Sequence, residues 1–177
     1  KKGGVIDDLI IYRLVDEFIL IVNASNKKKD LKWIKDNNSR ETIKINDISN
    51  STSLIAIQGP NSRSKIEKLL NINLDMDFYS CRETKYFDNN IFIARTGYTG
   101  ELGFEILGDS NIINDIWIQM ISDGVAPIGL AVRDILRIEM GYCLYGHEID
   151  ENINPSDAGL GWIIDYESNF IGSKEIK

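Results

Sequence analysis

Histidine, cysteine and long apolar runs are scarce in this sequence of 177 residues, and each scarcity excludes a class of protein. His147 is the only histidine, so any Ser/His/Asp triad or multi-histidine metal site would depend on it, and we expect no metal site. Cys81 and Cys143 have no CxxC spacing, which favours reduced thiols in a cytoplasmic protein. No apolar run has the length of a membrane span, and the first residues contain no apolar core of a signal peptide.

The overall composition indicates a globular chain with an acidic surface. Hydrophobic residues make up 43% of the sequence, which is enough for a sizeable core in one domain or in two small ones. The formal net charge of -7 argues against a nucleic-acid-binding face. The sequence has no initial Met, and its last residues stop where a helix pattern begins, so we interpret it as a fragment.

The order of apolar patterns predicts an α+β fold. Strand patterns that can form hairpins outnumber strand–helix–strand units, which is typical of this class. The polar stretch 46–53 has neither pattern, so we predict two subdomains, residues 1–48 and 49–177. Strands are predicted at residues 5–14, 18–22, 43–45, 54–57, 78–87, 91–95, 104–107 and 160–164, and helices at 27–34, 61–70, 111–121 and 131–140.

Two adjacent carboxylates, Asp7 and Asp8, interrupt the first predicted strand. Neighbouring side chains on a strand point to opposite faces, so one of the two is expected to face the core side. A buried carboxylate needs a partner or a chemical role, because burial without one is costly. The alternative is an edge hairpin that leaves both acids in water. Ser25 or Asn26 is expected to cap the helix that follows.

A glycine-rich crossing joins two later predicted strands. Gly97, Gly100 and Gly103 recur at a spacing of three, and Glu105 lies inside the second strand. Glycine lets a ligand approach the main chain closely. The pattern therefore indicates a ligand site that contains one carboxylate. A bulged hairpin with a surface glutamate explains the same spacing equally well.

Charged residues recur along the helix predicted at 131–140. Arg133 and Arg137 are four residues apart, and Asp134 and Arg137 are three apart, so each pair can share one helix face. Such pairs can line a site or form salt bridges on a solvated surface. For Arg137 we favour the surface interpretation.

Four segments, taken together, resemble one known family. Their order and spacing are similar to those of the aminomethyltransferase, or T-protein, family of the glycine cleavage system, and the turn at Gln58 also matches. The resemblance covers the middle of that family's chain, without its N-terminal segment and its C-terminal barrel domain. It implies antiparallel sheets with flanking helices in a folate-binding, T-protein-like fold, in which residues 1–48 are the C-terminal part of a ferredoxin-like subdomain. The matching segments are 3–9, 95–105, 127–139 and 143–152.

The resemblance also implies a reaction. The family transfers a one-carbon unit from an aminomethyl group on lipoylated H-protein to tetrahydrofolate, with release of ammonia and formation of methylenetetrahydrofolate. Asp8 matches the catalytic aspartate, and Glu105 matches the glutamate that binds the pterin. A carboxylate can accept two adjacent pterin N–H groups, and a fixed one can stabilise the positive charge that develops as ammonia leaves. Four further residues match positions that line the folate site: Tyr12, Asn23, Tyr98 and Arg133.

The sequence departs from the family at two positions and leaves other interpretations open. Leu102 replaces a frequent acid, which we expect to affect only the loop, and His147 replaces a more usual Asn or Gln. Within the same fold, a folate-binding domain of a dimethylglycine- or sarcosine-oxidising enzyme needs a fused flavin domain, and a tRNA-modification-linked relative carries a cysteine motif absent here. A non-catalytic folate-binding or H-protein-docking module would not need the Asp7–Asp8 pair.

Overall fold

The computed structural model describes residues 3–40 and 42–176, which divide into two compact units. The first unit contains the described residues up to Asn46 together with those from Cys143 onward, and the second unit is Asp47–Tyr142. The first boundary lies inside the polar stretch 46–53, where the sequence predicted the division between two subdomains. The tail differs from the predicted division, because it belongs to the first unit rather than the second.

A two-stranded hairpin and a helix form the N-terminal part of the first unit. Strand β1 is Ile10–Arg13, β2 is the antiparallel Phe18–Ile21, and helix α1 is Lys27–Asn37. The predicted hairpin and helix are therefore present, but β1 begins later than expected. Asp7 and Asp8 precede the strand, so placing them inside it was wrong. The ferredoxin-like topology of residues 1–48 stays a prediction.

The second unit is built on an antiparallel sheet of four strands. They are β3 (Thr52–Gln58), β4 (Cys81–Tyr86), β5 (Asn89–Ala94) and β6 (Gly103–Asp109), in the order β3-β6-β5-β4. In this register Glu105 on β6 lies between two alanines, Ala56 on β3 and Ala94 on β5. Small neighbours on both sides leave space beside a carboxylate that larger residues would fill.

Three helices complete the second unit, and each agrees with a helix predicted from the sequence. They are α2 (Ser62–Leu70), α3 (Ser110–Ser122) and α4 (Leu130–Glu139). Helix α3 is capped by Asp109, whose Oδ1 accepts from the N–H of Asn111 at 2.9 Å. Helices α2 and α3 pack on the sheet around a shared core. Its fully buried members are Ile66, Leu74, Ile93, Phe104, Ile106 and Ile116.

The C-terminal tail joins the first unit mostly as irregular chain, ending in the short helix α5 (Ser173–Ile176). The N–H of Val5 donates to the carbonyl of Asp150 at 2.9 Å, which ties the tail to the N-terminal residues. A side chain at Gly4 would overlap the carbonyl of Glu151, so this close approach needs glycine.

Two predicted strands are wrong. Residues 160–164 contain a 3₁₀ turn, Gly161–Ile163, and Trp162 is 81% exposed. Residues 43–45 are irregular, and Ile43 closes a turn by donating its N–H to Arg40 O at 3.1 Å. Both segments have apolar patterns of strand type, but within the described residues neither meets a partner strand. The predicted α+β class, with antiparallel sheets and flanking helices, is confirmed.

Within residues 3–40 and 42–176, no helix combines the length and the apolar character needed to span a membrane.

Candidate active site

Asn23 fixes the two adjacent carboxylates that precede β1. Its Nδ2 lies 2.9 Å from Asp7 Oδ1, 2.9 Å from Asp8 Oδ1 and 3.1 Å from the Asp8 carbonyl. Asn26 Nδ2 adds a bond of 2.7 Å to Asp7 Oδ1. Asn26 occupies the N-cap of α1 but forms no side-chain capping bond, and its Nδ2 donates to Asp7. The expected cap is thus replaced by an anchor for the carboxylate pair.

Asp8 has the electrostatic setting of a carboxylate that exchanges protons. Burial raises the pKa of Asp8 above its ordinary value, the hydrogen bond from Asn23 opposes this, and the negative charge of Asp7 raises the pKa further. The side chain is half-buried, so a ligand can still reach it. Such a group takes up a proton more readily than a surface aspartate and, once ionised, can stabilise a nearby cation.

Asp7 has the opposite setting. Burial raises the pKa of Asp7, but hydrogen bonds from Asp30, Asn23 and Asn26 outweigh burial and hold the pKa below its ordinary value. The two neighbours in sequence are therefore separated in proton affinity, and such separation is how a site assigns different roles to two carboxylates. Asp7 therefore favours its ionised form and anchors the cluster, whereas Asp8 holds a proton more readily.

In the second unit, Gln58 holds the glycine-rich crossing between β5 and β6. Its Nε2 donates to the carbonyls of Thr96 at 3.2 Å and Phe104 at 3.3 Å. A Cβ built on either Gly97 or Gly103 would overlap the Gln58 carboxamide. A side chain at either glycine would force the Gln58 carboxamide to move away from the main chain that it crosses, a constraint that sequence spacing alone could not reveal.

We expect Gly103→Ala to destabilise the protein by about 1–2 kcal/mol, because the new methyl would displace Gln58 from its two carbonyl acceptors. In a Gln58→Ala background the same change should cost much less, and urea unfolding of all four combinations measures the coupling. Gly161→Ala is the control, since a Cβ there meets its nearest atom at 3.5 Å, an ordinary contact. Additive effects would contradict the clamp.

Glu105 is the carboxylate on the strand that follows this crossing. Thr96 is 2% exposed, and its Oγ1 donates to Glu105 Oε2, which orients the side chain. An ionised carboxylate has about four acceptor sites on its two oxygens, so one threonine leaves capacity for a ligand with several donors. Glu105 is itself only half-buried. The structure thus presents an oriented acceptor at the position that the sequence singled out.

Tyr98, at the tip of the crossing, contacts a cation and a second aromatic ring. The Arg133 guanidinium carbon lies 4.7 Å from the Tyr98 ring centroid. The Tyr142 ring stacks on Tyr98 with centroids 5.5 Å apart and an interplanar angle of 27°. Tyr142 was not identified as a site residue from the sequence.

Arg137 is a buried structural residue, so the surface interpretation favoured for it was wrong. It is 2% exposed, its Nε donates to Asp134 Oδ1 at 2.8 Å, and its Nη1 donates to the Tyr142 carbonyl at 3.0 Å. The predicted Asp134–Arg137 pair is present. The guanidinium connects α4 to the residue whose ring packs on Tyr98, and a buried charge with these partners is satisfied.

The six predicted site residues divide between the two units. Asp8, Tyr12 and Asn23 belong to the first, and Tyr98, Glu105 and Arg133 belong to the second. Asp8 and Asn23 are joined directly. Tyr98 and Arg133 are joined directly. Tyr12, on β1, is 4% exposed, so its predicted role in folate binding rests on the resemblance alone.

Comparison with known proteins identifies a single family over nearly the whole chain. The model of the GCVT N-terminal domain matches residues 1–168. The aminomethyltransferase of Halothermothrix orenii is 43% identical over 181 residues, which cover 98% of this chain and 50% of that protein. The aminomethyltransferase of Chloroherpeton thalassium is 44% identical over 179 residues, with coverage of 97% and 49%. The chain therefore spans about half the length of the curated relatives it matches.

A solved structure agrees with the sequence comparisons. The crystal structure of the glycine cleavage system aminomethyltransferase T from Bartonella henselae superimposes with a TM-score of 0.88 at 29% identity, covering 99% of this chain and 49% of that one. The T-protein-like fold expected from the four sequence segments is confirmed. This chain belongs to the GCVT N-terminal domain family.

Proposed function

We propose that this chain forms the tetrahydrofolate-dependent catalytic part of an aminomethyltransferase of the glycine cleavage system. The proposal is supported by the family match and by relatives named aminomethyltransferase that align over nearly the whole chain. The observation that carries it is the half-buried Asp8, which Asn23 holds beside Asp7 and whose pKa is raised. Lipoylated H-protein is the proposed donor partner. The cytoplasmic location stays a prediction.

The reaction moves one carbon from an aminomethyl group on the lipoyl sulfur to tetrahydrofolate. That carbon gives up its bonds to sulfur and to nitrogen and forms two bonds to nitrogens of tetrahydrofolate. These two nitrogens lose two protons, one of which is taken up by the departing amine and the other by the dihydrolipoyl thiolate. Positive charge develops on the carbon between the two displacements. A fixed anion beside it and a carrier for protons are therefore the catalytic requirements.

Asp8 meets both requirements in the proposed mechanism. As a carboxylate it stabilises the cationic carbon, and its raised pKa allows it to accept a proton from a tetrahydrofolate nitrogen and return it to a leaving group. Asn23 keeps Oδ1 of Asp8 in one place, at 2.9 Å from its own amide. Preorganisation of this kind lowers the cost of rearranging polar groups during the reaction.

The proposed role of the second unit is to bind the pterin. Glu105, oriented by Thr96, accepts hydrogen bonds from adjacent pterin N–H groups. Tyr98, packed between its contacts with Arg133 and Tyr142, offers an aromatic wall beside the glycine-rich crossing. Aromatic rings with a few placed polar groups are the usual lining of a site for a flat heterocycle.

The test is reconstitution of the full-length protein with aminomethyl-lipoyl H-protein and tetrahydrofolate. We expect methylenetetrahydrofolate and ammonia in equal amounts, with no product when H-protein lacks its lipoyl group. Folate binding without turnover would overturn the proposal and favour a non-catalytic folate-binding module. Product formation from dimethylglycine or sarcosine, but not from H-protein, would favour a domain of an oxidising enzyme instead.

A further inference from the structure

Asp30 is a buried carboxylate that the proposed mechanism does not use. It lies in the first turn of α1 and is 3% exposed. Its side chain is within hydrogen-bonding reach of Asp7. If both groups are ionised, however, Oδ1 and Oδ2 of Asp30 and Oδ2 of Asp7 are buried without a donor among the described residues. An unsatisfied buried acceptor is costly, and two adjacent buried anions cost more.

The charged groups around Asp30 do not neutralise it. Asp7 adds negative charge from the segment before β1. Lys29 is the neighbouring cation, but its Nζ donates to the carbonyl of Ile6 and lies 3.8 Å from the ring centroid of Tyr145. The same Nζ is 3.9 Å from Glu151 Oε1, in the C-terminal tail. Its charge is therefore shared among several other partners.

A metal ion does not explain the cluster either. Within residues 3–40 and 42–176, no three or more His, Cys, Asp or Glu side chains are placed to hold one. The group that can satisfy two facing carboxyl oxygens in a confined space is a single proton, which turns one acceptor into a donor. Carboxyl pairs that share a proton occur where like charges cannot both ionise.

We propose that Asp30 is a neutral carboxylic acid in the folded protein, that it donates a hydrogen bond to Asp7, and that it thereby acts as the positioning residue for Asp8. The connection runs through Asn23, whose amide bonds both Asp7 Oδ1 and Asp8 Oδ1 at 2.9 Å. Asp7 is the shared acceptor, because it also receives Asn26. The catalytic half of this inference rests on the proposed function; the shared proton does not.

The electrostatic surroundings agree with this arrangement. Burial, the hydrogen bond to Asp7 and the negative charge of Asp7 together raise the pKa of Asp30 to about 7, against the opposing effect of Lys29. In the unfolded chain Asp30 releases its proton near the ordinary value of 3.8. Between these two values the folded state binds more protons than the unfolded state, so this group makes the protein less stable as the pH rises through that window.

The test compares Asp30→Asn with Asp30→Ala in the full-length protein. Asparagine has no charge and keeps an N–H donor where the proposal places the acidic O–H, whereas alanine keeps neither. Asp36→Asn is the matched control, since Asp36 is an exposed carboxylate on the same helix, paired with Lys32. The first readout is infrared absorption of the protonated carboxyl C=O stretch, titrated in the wild type. The second is kcat and KM for aminomethyl transfer.

We expect a protonated carboxyl band that titrates near the value given above, is lost in Asp30→Asn and is retained in Asp36→Asn. Asp30→Asn should keep kcat within about threefold, while Asp30→Ala should lower it by about tenfold or more with little change in KM for tetrahydrofolate.

If the wild type shows no protonated carboxyl band throughout the pH range above the ordinary carboxyl pKa, the shared proton is refuted. Equal losses in both variants overturn the positioning role. If the wild type has no transferase activity, the proposed function fails, but the infrared comparison of the wild type with whichever Asp30 variant folds still decides the protonation of Asp30.

Discussion

Replacing Asp8 with asparagine in the full-length protein is expected to lower kcat for aminomethyl transfer by about 10²–10⁴-fold, with tetrahydrofolate affinity nearly unchanged. The amide has the shape of the carboxyl group and can still accept from Asn23, which now bonds Asp8 Oδ1 at 2.9 Å. It has no negative charge for the developing cation and takes up no proton near neutral pH. The loss should therefore fall on the chemical step, and single-turnover measurement with preloaded H-protein isolates that step.

The control for Asp8 is Asp16→Asn, a change of the same chemistry at an exposed residue in the turn between β1 and β2. It should alter neither turnover nor folate binding. Turnover of Asp8→Asn close to that of the wild type would remove Asp8 from the mechanism. A large loss of folate affinity with unchanged kcat at saturation would make Asp8 a binding residue instead of the group that carries the chemistry.

Local sequence patterns correctly predicted the helices whose apolar faces pack in the core. Helices α2 and α3 have apolar residues at helical spacing, and Ile66, Ile113 and Ile116 are indeed buried in one core. The same logic failed at residues 160–164, where a strand needs a partner and the described chain provides none. A strand pattern indicates which residues can be buried. Whether a neighbouring strand is present to complete the hydrogen bonds depends on the whole fold.

The site residues predicted from the sequence stay a prediction, but the structure shows supporting residues that the sequence did not indicate. Asp8, Asn23, Tyr98 and Arg133 were singled out, and the structure joins the first two to each other and the last two to each other. The supports were missed because nothing near them in sequence marks them. Asp30 follows three lysines and resembles a surface residue, yet the fold buries it against a segment more than 20 residues earlier. Gln58 and Arg137 likewise act on residues distant in sequence.

The two adjacent aspartates show why environment, and not residue type, assigns the roles. Asp7 and Asp8 are adjacent in the chain, both accept a hydrogen bond from the Asn23 amide, and both are partly buried. Their pKa values nevertheless shift in opposite directions. The difference comes from donors: Asp7 has several, so its charged form is favoured, whereas burial and the Asp7 charge dominate at Asp8. The sequence pair Asp-Asp is chemically symmetric, and it is the positions of Asn26 and Asp30 that lower the pKa of Asp7 and not that of Asp8.

Replacing Glu105 with glutamine is expected to weaken tetrahydrofolate binding by about 2 kcal/mol or more, which is a Kd increase of roughly 30-fold. Gln keeps an oxygen that can accept from Thr96, so the side chain stays oriented and the fold is preserved. Its NH₂ group, however, would replace an acceptor with a donor opposite the pterin N–H groups. The variant therefore leaves desolvated donors unpaired, and calorimetric titration of the full-length protein measures the cost.

Glu101→Gln is the matched control, because Glu101 is an exposed carboxylate in the same glycine-rich crossing and should not change the affinity. A folate analogue without the pterin 2-amino group sharpens the test. If Glu105 accepts from that group, the analogue loses affinity for the wild type but little more for Glu105→Gln, so the two changes are strongly non-additive. An unchanged dissociation constant in the variant, or additive losses in this cycle, would mean that the pterin is held elsewhere and that Glu105 serves only its bond with Thr96.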